Sequence, residues 1–132
     1  MLLLIRKMIN NNRGQALVEF ALVLPVLMLL IIGMMEFGLI IHQYMVVTEA
    51  AREGARSAAV GNSNTTIISV TKTAASQIDI SELTVAISPA DTRVRGNSVT
   101  VTVEKPVAIT TLLSPFFPAG FTVQGISTMR VE

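Results

Sequence analysis

The sequence predicts an α+β protein: a long N-terminal transmembrane helix that continues as a stalk, then a short helix and a small antiparallel sheet of three or four strands. Three observations predict this fold. Between Glu19 and Glu36 lie sixteen residues without a charge, FALVLPVLMLLIIGMM. A helical pattern of small and charged residues then continues to about Ala59. After Val60 the composition changes to Thr, Ser and Val, in the alternation that is typical of strands.

The apolar segment is long enough to cross a bilayer. Counted from Ala16 to Ile41, it exceeds the ~20 residues that a transmembrane helix needs. Arg6, Lys7 and Arg13 precede it with no acid among them. Because cytoplasmic flanks carry an excess of basic residues, we expect a single-pass protein of the inner (cytoplasmic) membrane, with its N-terminus inside and its C-terminus outside.

Composition excludes several classes of function. The 132 residues carry a net charge of +1 and no cysteine, so disulfides and thiolate chemistry are excluded. No basic run lies beyond the N-terminal tip, and nucleic-acid binding has no support. The single histidine, His42, stands apart from any metal-ligand spacing, phosphate loop or nucleophile–base pair. We therefore expect no catalysis, cofactor or metal.

The N-terminal stretch RGQALVEF permits three interpretations. A secretory signal peptide has an apolar region of about 7–15 residues followed by a cleavage site, whereas this run is longer and lacks such a site. An uncleaved signal anchor fits the hydropathy but leaves Glu19 unexplained. A prepilin-type signal is cut before its apolar run, which here gives a basic leader ending at Gly14, a new N-terminus at Gln15 and an acid at the fifth mature position.

Glu19 has a physical explanation under the third interpretation. A carboxylate near hydrocarbon costs roughly 2.5–3.5 kcal/mol on insertion scales. A cut between Gly14 and Gln15 exposes an α-amino group that is largely protonated at neutral pH. Gln15 and Glu19 are four residues apart and share one helix face. We therefore predict that an ammonium group offsets the charge of Glu19.

The helix RGQALVEFALVLPVLMLLIIGMMEFG, the following VVTEAAREGARSAAV and the closing TMRVE resemble TadE-like proteins. These are minor pseudopilins of the tight-adherence (Tad) pilus, in the type IV filament superfamily. The resemblance implies trimming by a prepilin peptidase after Gly14 and a part in pilus assembly, adhesion and biofilm formation. It implies that Glu19 pairs with the N-terminal amine of a neighbouring subunit. The implied partners are other pilin or pseudopilin subunits, the peptidase and the Tad assembly platform in the membrane.

The chain accordingly divides into a leader (1–14), a transmembrane and stalk helix (15–60) and an exported β-rich domain (61–132). The alternative is an uncleaved, single-pass membrane-anchored protein whose outer domain binds a partner without polymerising. The sequence does not distinguish a location at the tip of the pilus, along its shaft or at the assembly platform.

Two features of the helix are candidate contact sites. Glu36, the second acid of the apolar region, either contacts a partner helix or the assembly machinery, or marks the outer membrane interface. Ala50, Gly54 and Ala58 recur every four residues, and a parallel row of alanines follows one position later. Small residues at this spacing allow another helix, or the C-terminal sheet, to approach closely.

Turn residues and alternation predict the elements of the exported domain. GNSN after Val60 ends the stalk, and a short helix over 64–78 begins with Asn64 or Thr65 as its N-cap. ELTVAIS, SVTVTVE and FTVQGISTMRVE predict strands, and the turn between the first two contains Gly96. Gly125 predicts a β-bulge in the last strand.

The segment VAITTLLSPFFPAG, residues 107–120, is unusually apolar for a connection between strands. Phe116 and Phe117 lie between two prolines, which excludes a regular strand there. They either fill the core under the sheet or contact a neighbouring subunit.

Overall fold

A computed structural model describes residues 12–109, 114–116 and 120–132. The elements are α1 (Asn12–Ala59), α2 (Asn64–Ala74), β1 (Thr84–Ser88), β2 (Ser98–Val107), a 3-10 turn (Ser114–Phe116) and β3 (Phe121–Arg130). The predicted α+β class is confirmed: a long apolar N-terminal helix, a short helix and a three-stranded antiparallel sheet.

The chain forms two compact units. The described residues up to Met35 make up the first, and Glu36–Glu132 make up the second. In the first unit the large apolar side chains of α1, such as Leu17, Leu22 and Val26, are exposed. The described part of this unit is therefore a single helix without a core of its own.

The second unit is built around β2, the central strand of the sheet. The strand order is β1-β2-β3, and both pairings are antiparallel. Alternate residues of β2 face the core, as its strict alternation of buried and partly exposed positions shows. This strand continues through Pro106 to Val107, beyond the segment ending at Glu104 that alternation predicted. One face of the sheet is therefore a row of valines: Val99, Val101, Val103 and Val107.

The core of the second unit combines this valine row with small residues from the C-terminal half of α1 and with Ile67 of α2. The fully buried residues of α1 are nearly all alanine, which brings the helix close to the sheet: Val47, Ala50, Ala51, Ala55 and Ala58. Such a close approach lets a small domain without disulfides bury a continuous apolar core.

Helix α1 ends where the GNSN turn predicts. Gly61 adopts a left-handed conformation with φ of 86°, which glycine reaches without strain. Its N–H donates to the carbonyl of Ala58 at 3.0 Å, and the N–H of Glu132 donates to the carbonyl of Ala59 at 3.0 Å. The C-terminal residues of the chain therefore satisfy one of the carbonyl groups that a helix end leaves without an internal partner.

The predicted N-cap of α2 is wrong. Ser63, and not Asn64 or Thr65, holds the capping position in an extended conformation, and its Oγ accepts the N–H of Thr66 at 3.3 Å. Asn64 instead donates from Nδ2 to the carbonyl of Ala90 at 2.8 Å. The helix ends at Ala74, four residues earlier than predicted.

The predicted bulge at Gly125 is also wrong. Residues of β2 and β3 pair one to one along both strands, and Gly125 pairs with Val103. A Cβ atom on Gly125 would lie 2.6 Å from the carbonyl oxygen of Val47, so the glycine marks the place where the backbone of α1 crosses the strand. Ile126 stays on the opposite face, 58% exposed.

Phe117 lies outside the described residues, as does the side chain of Phe116, so the contacts predicted for them stay predictions. The backbone between the last two strands is described at the 3-10 turn Ser114–Phe116 and again from Gly120.

Candidate functional site

The N-terminal end of α1 contains the predicted processing site. Within the described residues the helix starts at Asn12, and the Gly14–Gln15 peptide bond lies near that end of it. Gly14 is exposed, with no atom within 4 Å of the position that a Cβ would occupy.

Gln15 and Glu19 contact each other on one face of α1. Nε2 of Gln15 donates to Oε1 of Glu19 at 3.2 Å, and both side chains are exposed. Because the acceptor is a carboxylate, this hydrogen bond is charge-assisted. The carboxamide is neutral, however, so the contact orients the carboxylate without cancelling its charge.

The surroundings of Glu19 are apolar. Val18, Phe20 and Leu22 are all exposed, as are most large apolar side chains further along the first unit. The helix Gly14–Ala59 is long and apolar enough to cross a membrane, by length and composition. Exposed apolar surface of this extent is typical of a membrane or protein contact.

Glu36 lies within the exposed apolar stretch and not at its end. It is half-buried, while Phe37 and Leu39 beside it are exposed. Exposed apolar side chains continue to Met45, and the outer face of α1 then becomes charged, beginning with Glu49.

Ala50, Gly54 and Ala58 all face the remainder of the second unit, and all three are buried. A Cβ on Gly54 would overlap Oγ1 of Thr71 and lie 3.1 Å from Cγ1 of Val101. The parallel alanine row is buried as well. The sequence left open whether another helix or the C-terminal sheet covers these small residues. In the structure, the chain's own sheet and α2 cover them.

The outer face of the same part of α1 is charged. Arg52 and Glu49 form an ion pair at 3.6 Å, with side chains 64% and 68% exposed. Glu53 and Arg56 are exposed beside them. Exposed pairs of this kind contribute about 0–1 kcal/mol to stability, so this face is a solvated surface and no source of folding energy.

Sequence patterns do not predict the surroundings of two polar groups of the second unit. Lys105 lies on the inner face of β2 and is 7% exposed. The Asp79 carboxylate accepts the N–H of Ser81 at 3.0 Å and its hydroxyl at 2.8 Å. These two hydrogen bonds, with a smaller contribution from the charge of Lys105, lower the pKa of Asp79. The residues that the structure describes contain no cluster of acids and histidines able to hold a metal.

A single apolar N-terminal helix followed by a small α+β domain fits the class of membrane-anchored proteins. Residues 14–56 of the chain match the family described as TadE-like protein. The chain thus carries a TadE-like domain, and the predicted resemblance is confirmed over these residues. Comparison with curated proteins found no match, and comparison with solved structures found none.

The TadE-like domain supports a Tad pilus-associated protein. The family is a structural one, whose members interact with other pilus components. The match begins at Gly14 and ends at Arg56. It covers α1 and not the sheet, so the likeness of the closing TMRVE to the family stays a prediction.

Proposed function

We propose that this chain is a minor pilin or pseudopilin of a Tad (Flp-type) pilus, processed after Gly14, that contributes to pilus assembly, adhesion and biofilm formation. One observation carries the proposal. The TadE-like domain begins at Gly14, the residue that the sequence predicts as the last of the leader. Directly behind it stand the apolar helix and its acid, Glu19.

Charge pairing is the proposed basis of assembly. Removal of the leader gives Gln15 a protonated amine, and the Glu19 carboxylate lies on the same helix face. Each charge alone is costly beside lipid, but an ammonium of one subunit and a carboxylate of its neighbour neutralise each other as the helices meet. Pairing across the contact also sets the axial position of one subunit against the next.

The exposed apolar side chains of α1 are the proposed contact between subunits. They run through the first unit and continue in the second to Met45. The small-residue rows further on are covered by the chain's own sheet. Because Glu36 lies inside the apolar stretch, we assign it to a contact with a partner helix or the assembly platform and not to the membrane interface.

The proposed arrangement places residues 1–14 in the cytoplasm as a leader, 15–60 as the transmembrane and stalk helix, and 61–132 outside the inner membrane. The mature subunit then enters the pilus at the cell surface or initiates it. The prepilin peptidase acts on the cytoplasmic side, because the positive charges of the leader keep the N-terminus there until it is cut.

Intact-mass measurement tests the processing step. The protein is extracted from membranes of a host with an active prepilin peptidase and from a matched host without one. We expect the first sample to lack the first fourteen residues and the second to keep them. Retention of the leader in both hosts would favour the alternative, an uncleaved anchored protein whose outer domain binds a partner without polymerising.

A further inference from the structure

Leader removal would allow Gln15 to cyclise, a reaction that a glutamine inside a chain cannot undergo. This inference rests on the proposed function. The free α-amine of an N-terminal glutamine can attack Cδ of its own side chain. The N–Cδ bond forms, the Cδ–Nε2 bond breaks, and ammonia leaves with a proton from the amine. The product is a neutral cyclic lactam, pyroglutamate, which has no ammonium left to pair with Glu19.

The Gln15–Glu19 contact engages the carboxamide that this reaction needs. Nε2 of Gln15 donates to Oε1 of Glu19, one turn further along the helix, at 3.2 Å. Ring closure requires Cδ to fold back onto the nitrogen, and the carboxamide must first release Glu19.

Protonation of the amine opposes the attack as well. Nε2 is the leaving group, and it takes a proton to depart as ammonia. A terminal amine that is protonated, and later paired with Glu19 of a neighbouring subunit, has no free electron pair for the attack.

We propose that Gln15 is a latent cyclisation site and that Glu19 suppresses the reaction by holding the Gln15 carboxamide. Glu19 then has two roles: it is the counter-charge of a neighbouring subunit's N-terminus, and it is the positioning residue that preserves the amine of its own chain. An acid four residues after a new N-terminal glutamine keeps the subunit competent during the interval between processing and assembly.

The experiment follows loss of ammonia from processed protein. Wild type and Glu19→Ala are purified in detergent from a host with active peptidase and incubated near neutral pH, and intact mass is recorded over time. We expect Glu19→Ala to lose ammonia faster by up to about twofold, as disruption of a side-chain pair four residues apart allows. Glu19→Gln, which keeps the size of the side chain, is measured in parallel and is expected to change in the same direction.

Gln15→Ala in the Glu19→Ala background is the chemical control, because it has no side-chain carboxamide to lose as ammonia. Equal rates in wild type and both Glu19 variants overturn the inference, and so does wild type that is already cyclised when isolated; both results leave processing intact. Retention of the leader overturns the processing proposal and this inference together. The masses of the three species differ, so each failure is recognised separately.

Discussion

Glu19 is the only acid between Arg13 and Glu36. In the assembly proposal, its charge sets the position of one subunit against the next. We expect Glu19→Ala to insert into the membrane as well as wild type, because removing a charge lowers the cost of burial in lipid. Assembly should fall sharply, since the N-terminal ammonium of the neighbour would then be left unpaired. The measurement compares the subunit in the membrane fraction with the subunit in pili sheared from cells.

Glu49→Ala is the matched control for this variant. Glu49 is an acid of the same helix, but it is exposed in the charged face and is paired only with Arg52 at 3.6 Å. We expect it to leave both fractions unchanged. If Glu19→Ala assembles as well as Glu49→Ala, the charge-pairing explanation is wrong, even if the leader is removed normally.

Gly54 is a residue for which the structure leaves no room for a methyl group. The Thr71 side chain that a Cβ would meet is held by a hydrogen bond from its Oγ1 to the carbonyl of Ile67 at 2.8 Å. We expect Gly54→Ala to lower the free energy of unfolding by about 1–3 kcal/mol, the usual cost of overpacking. Denaturant unfolding in detergent, followed by circular dichroism, measures the change.

Gly38→Ala is the control, since Gly38 lies in the same helix with nothing within 4 Å of its Cβ position. There the gain in helix propensity, about 1 kcal/mol at most, should stabilise the protein or leave it unchanged. Equal effects at both positions would mean that Gly54 does not contact α2 as described.

Asp79 provides a pH-dependent prediction. Its pKa is lowered by the backbone N–H of Ser81 first and the Ser81 hydroxyl second. A lowered pKa in the folded state stabilises the fold above the ordinary aspartate value of about 3.9, and this contribution is lost as the pH falls through the lowered value. Ser81→Ala removes the hydroxyl and keeps the backbone N–H, so it should raise the pKa of Asp79 part of the way to its ordinary value and reduce stability at neutral pH but not in strong acid. Carboxyl titration by NMR measures the shift, and Ser76→Ala, also exposed, is a control that should leave it unchanged.

At the scale of elements, Gly125 sets the distance between α1 and β3. A Cβ there would lie 2.6 Å from the Val47 oxygen and 2.8 Å from Cα of Thr48, and backbone atoms cannot rotate away as side chains do. We expect Gly125→Ala to destabilise the protein at or above the upper end of the range of about 1–3 kcal/mol for overpacking. Ile126→Ala, on the exposed face of the same strand, should stay within about 0.5 kcal/mol of wild type in the same unfolding experiment. Comparable losses from the two variants would contradict the described crossing of helix and strand.

Gly125 also shows what a sequence pattern can predict about a strand and what it cannot. A glycine inside a strand indicates either a bulge or a close backbone approach, and alternation alone cannot choose between them. The choice depends on Val47, far away in sequence, which the strand meets only in the folded domain. The strand itself, the end of α1 at GNSN and the turn at Gly96 were predictable, because each depends on neighbouring residues.

The N-cap of α2 was mispredicted for a similar reason. Asn64 is a good capping residue in isolation, but its carboxamide binds the carbonyl of Ala90 and accepts a hydrogen bond from Arg93. Both partners lie on the segment between β1 and β2. With Asn64 engaged there, Ser63 one position earlier accepts the capping hydrogen bond.

At the scale of the molecule, the small residues and the large apolar residues of α1 have different surroundings. Its small residues, among them Ala50 and Gly54, are covered by the chain's own domain, whereas its large apolar residues remain exposed as far as Met45. The spacing of small residues predicted a close contact, but the sequence left its occupant open. The apolar residues of α1 thus separate, in the structure, into small ones that pack in the core of the second unit and large ones that stay exposed.

Cysteine cross-linking tests this division, because the natural chain has no cysteine and each introduced thiol is the only one present. Leu39→Cys lies on the exposed apolar surface, and Arg52→Cys lies on the exposed charged face. If neighbouring helices meet through the apolar surface, mild oxidation of assembled pili should give covalent dimers at position 39 and few at position 52. Adding Glu19→Ala to Leu39→Cys should abolish the dimers, since the contact then lacks its pairing charge. Equal dimer yields at the two positions, or dimers that persist without Glu19, would place the subunit contact elsewhere on the helix.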